Sequence, residues 1–143
     1  MIRRAIHPFL FALAAYLIIT ACACGGSITK NADRSLATAL AATNAARESF
    51  VGFDKDHQLA LVDKAETREN AESALAQYHY DRRHVLRAFT AAYSAIGAAA
   101  AMIPLVERGE KKDADFRAIL FDAVSAALEV KNAVDQIKAG LRR

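Results

Sequence analysis

An all-α fold is expected, an up-down-up three-helix bundle of long amphipathic helices, and three observations predict it. First, 33 of the 143 residues are Ala, the strongest helix former, against two Pro, six Gly and no Trp. Turn-forming residues are too few to punctuate a many-stranded β fold. Second, apolar residues recur at steps of three and four in three separate stretches, the spacing that lines one face of a helix. Third, those stretches are joined by polar segments suited to helix ends. The expected helices cover about 31–63, 67–103 and 113–141.

The first seam is Ala32, Leu36, Ala39, Thr43, Ala46, Phe50 and Phe53. Thr43 is its polar exception; its methyl can pack while its hydroxyl bonds back to a carbonyl one turn earlier. The same step continues to His57 and Ala60, with Gly52 as a weak point and a candidate bend. The second seam is Ala71, Leu75, Tyr78, Arg82, Val85, Phe89, Ala92, Ile96, Ala99 and Ile103. Pro104 follows and is expected to end or kink that helix. The third is Phe116, Leu120, Ala123, Ala127, Val130, Val134, Ile137 and Leu141, opened by Asp113 and Asp115 and closed by Lys138, Arg142 and Arg143, which suit the helix dipole. The polar run from Glu107 to Asp113 is the loop before it.

Between the first two seams, Asp63 to Glu72 is almost wholly polar. Asp63-x-x-Glu66 resembles a capping box, and Thr67 is a second candidate cap. No Gly or Pro interrupts residues 53–96, so one continuous helix is the alternative to a turn near residues 64–68. Ala-rich seams let helices approach closely but bury little area per residue, so such a bundle favours a partner or self-association. The stretch from Ile96 to Val106 is apolar almost all round, as a helix end covered by neighbours or by another chain would be. At about 11 residues it is too short to span a bilayer.

The first residues belong to something else. Met-Ile-Arg-Arg opens the chain, followed by an uncharged, mostly apolar run through Phe9 to Ile19 and a cluster of small residues. This is the layout of an export signal, its apolar core cut to roughly 13 residues by His7 and Pro8, short of the ~20 that a spanning helix needs. The run ends Ile19-Thr20-Ala21-Cys22.

Those four residues resemble the lipobox of bacterial lipoproteins: an aliphatic residue three before a cysteine, with small residues between. Ile19 stands where Leu is commonest. The resemblance covers only the first 22 or so residues. It implies cleavage after Ala21 and diacylglyceryl transfer to the Cys22 thiol, with acylation of the palmitate kind. It divides the chain into a removed signal (1–21), a lipidated cysteine and tether (22–30) and a helical domain (31–143). With Ala23 in the second mature position, the family's sorting habits imply the outer membrane, facing the periplasm. Three other outcomes fit the same residues. Ala21-Cys22-Ala23 is an A-x-A site, where cleavage before Cys24 releases a soluble periplasmic protein; the segment stays uncleaved as an anchor; or Cys24 is the lipidated residue.

With Arg3 and Arg4 removed, 17 basic residues face 16 acidic ones, so the domain has no electrostatic case for nucleic acid. Arg82-Arg83-His84 and Arg142-Arg143 fit solvated helix faces. Both cysteines lie at the signal junction, which excludes an internal disulfide or a cysteine-built zinc site in the domain.

Asp54 and His57, three apart on one helix face, would meet the second helix near residues 75–79, where His79 completes a candidate metal site. Against it, the chain lacks the paired Glu-x-x-His of carboxylate-bridged metal proteins, and His79 and His84 share no face. Arg82, set in an apolar seam, is expected either to snorkel at the seam edge or to pair with Asp54, Glu48 or an acid of the third helix. Tyr78, Tyr80, Phe89 and Tyr93 are expected to serve packing. There is no phosphate-binding Gly loop, nucleophile constellation or zinc-protease pattern, so no catalytic residue and no cofactor is assigned. The functional expectation is a non-enzymatic, lipid-anchored envelope protein working by helix-face contacts with itself or a protein partner. The alternative is a periplasmic metal- or ligand-binding module using His57 and His79.

Overall fold

In the computed structural model, which describes residues 28–140, three long helices pack side by side: α1 (Ile28–Asp63), α2 (Arg68–Glu107) and α3 (Asp113–Gly140). They run up, down and up, each packed on both others, and no strand occurs among the described residues. The expected all-α three-helix bundle is the observed one, and the turn near residues 64–68 separates α1 from α2.

The seams are the core. All seven described positions of the third seam are buried, as are six of the second, from Tyr78 to Ala99. On α1, Ala32, Leu36, Ala39, Thr43 and Phe50 are buried. Thr43 is wholly enclosed, and its hydroxyl donates to the Ala39 carbonyl at 2.8 Å, so the buried polar group is satisfied within its own helix. The core divides lengthwise. A lower cluster holds Ala32, Leu36, Ala39, Ile96, Ala99, Phe116, Leu120, Ala123 and Ala127. An upper cluster holds Phe50, Tyr78, Val85, Phe89, Ala92, Val130, Val134 and Ile137.

The α1–α2 turn uses one of the two expected caps. Thr67 is extended, and its side chain accepts from Asn70 N at 3.2 Å, satisfying a first-turn donor of α2. The Asp63-x-x-Glu66 box does not form, because Asp63 is the last residue of α1. Helix begins earlier than expected, at Ile28, so residues 28–30 belong to α1. Gly52 introduces no break in α1. Leu141, Arg142, Arg143 and residues 1–27, on which the expected export signal and Cys22 fall, lie outside the described residues.

Pro104 does not end α2, which runs on to Glu107. Pro104 removes the bond its own N–H would have made and crowds the carbonyl one turn earlier, but the turn is secured from beyond by a Schellman closure. Gly109 takes the left-handed conformation (φ 73°) and donates to Val106 O at 3.0 Å, while Glu110 N donates to Leu105 O at 2.9 Å. Arg108 N reaches Pro104 O at 3.2 Å. The connection to α3 is therefore residues 108–112, a residue shorter at each end than the sequence indicates.

The apolar end of α2 is only partly covered. Ile96 and Ala99 are buried, Met102, Ile103, Leu105 and Val106 are half-buried, and Ala98, Ala101 and Pro104 are exposed. Taken over 18 residues rather than 11, α2 is long and apolar enough to cross a membrane by length and composition, and 22% of that window is buried. The helices also differ in reach. At the last turn of α3, Lys138 meets Ser49 and Phe53 of α1, and Gly140 lines an open pocket together with Gln77 and Asp81 of α2. Residues 57–63 and 68–75 thus extend past the last described residue of α3 as a two-helix overhang.

Candidate functional site

Asp54 and Arg82, two of the polar groups singled out in the sequence, meet at the base of this overhang. Register places Asp54 on the flank of the first seam, and the antiparallel return of α2 brings Tyr78 and Arg82, four residues apart on its inner face, against it. Arg82 Nε lies 2.9 and 3.0 Å from the two Asp54 carboxylate oxygens. The Tyr78 hydroxyl donates to Asp54 Oδ1 at 2.8 Å, and Gln58 Nε2 donates to the same oxygen at 2.9 Å. Of the three acids open to Arg82, then, Asp54 is the partner. The Asp54 side chain is 13% exposed and that of Arg82 33%.

Burial pushes the Asp54 carboxyl upward, but hydrogen bonds from Tyr78, Gln58 and Arg82, with the Arg82 charge, outweigh it and hold the group below the ordinary carboxylate range. Burial and the same carboxylate push the Tyr78 phenol well above its usual range, so the hydroxyl stays a donor. A carboxylate held by three donors has little left to offer a metal ion or a substrate proton. Its work is to clasp α1 to α2, where hydrogen bonds to a charged group contribute about 1.5–3 kcal/mol, toward the low end here because Arg82 reaches solvent.

His57 sits one turn above Asp54. Its ring stacks on Phe53 (centroids 5.4 Å apart, 11° between planes) and tilts against Tyr78 at 4.9 Å. Its Nε2 is enclosed and meets no hydrogen-bond partner. Burial and the nearby Lys64 charge lower its pKa, against an opposing pull from Asp54. His79 is exposed on the far side of Tyr78, its ring 6.2 Å from the Tyr78 ring. The candidate trio is therefore not assembled: Asp54 is engaged by its clasp, His57 is packed between aromatic rings, and His79 faces outward. Among the described residues, no group of three His, Cys, Asp or Glu is placed to hold a metal ion.

The other aromatic residues of α2 divide between packing and surface. Tyr78 and Phe89 are buried, Tyr93 is half-buried and donates to Asn44 Oδ1 at 2.7 Å, and Tyr80 is exposed with Arg83 5.7 Å over its ring. Below the clasp lies a feature the seams did not announce, an open apolar groove of about 650 Å³ between α1 and α3. It follows the flanks of the seams, where small residues separate the two parallel helices.

Fold and site together define a helical bundle closed at one end by a polar clasp. Comparison of the chain with protein-family models, curated proteins and solved structures found no match in any of the three.

Proposed function

We propose that this chain is a lipid-anchored protein of the bacterial cell envelope, held at the outer membrane through Cys22 and working without catalysis by helix-face contacts with itself or a protein partner. The observation that carries the reading is the run Ile19-Thr20-Ala21-Cys22 at the end of an export-type segment. Five residues separate that cysteine from the first residue of α1, so the bundle hangs close to the lipid surface. The contact face in this reading is the outer side of the C-terminal half of α2, apolar and little covered by α1 or α3.

Mass spectrometry of the mature N-terminus tests the anchor. A diacylated Cys22 is expected; an unmodified start at Cys24, or an intact Met1, overturns it. Cross-linking in intact envelopes tests the contact: peptides from residues 90–105 should appear joined to a second copy or to a partner. Their absence from every cross-linked species removes the α2 face from the proposal.

A further inference from the structure

The α1–α3 groove has a chemistry of its own. Its floor and walls are hydrocarbon, from Ala42 and Ala45 on α1 to Val124, Ala127, Leu128 and Val134 on α3. At about 650 Å³ it has the size of a small-molecule site. Hydroxyl groups also line it, but each is already engaged. Ser35 Oγ donates to Asn31 O at 3.0 Å, Thr38 Oγ1 donates to Arg34 O at 2.8 Å, and Ser49 Oγ accepts from Lys138 Nζ at 2.6 Å. The charged residues stand at its ends, Arg34 at the lower mouth and the Lys131–Asp135 pair, 2.5 Å apart, toward the upper. From Arg34 to Ser49 along α1 the groove runs about 22 Å. A site this long and narrow, whose hydroxyls are already engaged, suits an unbranched hydrocarbon chain better than a polar ligand.

The chain carries the attachment point for such a ligand. Cys22 lies six residues before Ile28, a span of up to about 20 Å when extended. The lower mouth of the groove is on the same helix, about 9 Å along its axis from Ile28. We propose that the α1–α3 groove is a hydrocarbon site that receives one acyl chain of the lipid on Cys22, an inference that rests on the anchor reading above. Seated there, the chain covers apolar surface that the three helices leave open. Arg34 then stands at the mouth, beside the ester-bearing end of the lipid.

The test uses the full chain, produced in cells fed a fatty acid bearing a diazirine, purified in acylated form, exchanged into detergent-free buffer and irradiated. The mass of the N-terminal peptide first reports whether Cys22 is acylated. The groove proposal expects photo-adducts from that acyl chain on the peptides holding Thr38–Ala46 and Val124–Asp135. It also expects at least a tenfold loss of them in Ala42→Phe, a substitution at an exposed groove position outside both core clusters. Ala118→Phe, at an exposed position of α3 outside the groove, should retain the adducts and controls for misfolding. Adducts confined to co-purified lipid, or indifferent to Ala42→Phe in a chain whose Cys22 is acylated, overturn the groove and leave the anchor standing. Groove peptides joined instead to a second copy also overturn it. An N-terminal peptide without acyl mass overturns both.

Discussion

The lower and upper halves of this bundle solve the same packing problem with different materials. Five of the nine buried residues in the lower cluster are Ala, whereas the upper cluster has one Ala in eight and includes Phe50, Tyr78 and Phe89. Below, stability depends on backbones approaching closely around a few large side chains, chiefly Phe116. Above, it depends on large side chains filling the space between helices, reinforced by a polar clasp. The lower half is sensitive to added volume and the upper half to removed volume.

The largest effect should come from emptying the upper half. Phe50→Ala removes a ring that is 2% exposed and 6.1 Å from the Phe89 ring; a loss of about 3–5 kcal/mol in chemical denaturation is expected. A loss below about 1 kcal/mol would mean that the upper half can collapse as the lower does, erasing the distinction. Breaking the clasp comes next. Asp54→Ala leaves the Arg82 guanidinium and the Tyr78 hydroxyl without their acceptor, and should cost about 2–3 kcal/mol. Arg82→Met, which removes the cation while keeping the stem, should cost less. Equal losses from the two would show that the Arg82 cation, and not its stem, carries the clasp.

Added volume tests the lower half. Ala123→Leu, at a wholly buried seam position, should lower stability by about 1–3 kcal/mol through overpacking. Unchanged or raised stability would show that the helices there have room to move apart. The smallest effect concerns pH. Because the folded pKa of His57 lies below its unfolded value of 6.5, the native state binds fewer protons than the unfolded one in the window between them. The stability tied to neutral His57 is present above pH 6.5 and is lost as pH falls through the folded pKa. Thermal melts between pH 7.5 and 5 should show Tm falling with acid in the native chain and a shallower fall in His57→Phe. The Asp54 contribution follows the same sign at lower pH, being present above the ordinary carboxylate value of 3.8 and lost below it.

Much of this was legible before any coordinates. A seam states which side of each helix faces inward, so the buried residues and the meeting of Asp54 with the Tyr78 turn followed from spacing alone. For Arg82, the one charged residue in an apolar seam, spacing leaves snorkelling and pairing with an acid both open, and the structure shows the pairing, with Asp54. Other features were not accessible that way. Pro104 is expected to end or kink α2, yet the helix runs on to Glu107, its final turn tied down by the Gly109 closure five residues later. The choice of Thr67 over Asp63-x-x-Glu66 depended on where α1 ended. The groove was invisible because periodicity finds the centre of a helix face and not the gap between two faces, and flanking alanines fit either a close contact or an open one. The all-round apolar stretch Ile96–Val106 is only part of a longer apolar window in α2. The alanines and single polar residues before Ile96 extend it.

The unequal reach of the helices gives the molecule a direction. The first residue of α1 and the α2–α3 connection share one end, while the α1–α2 turn stands at the other, about 54 Å away along α1. If Cys22 is the anchor proposed above, the bundle is a mast that sets a standoff height. The exposed Leu59 and Val62 near the α1–α2 turn would then stand at the far end of that reach.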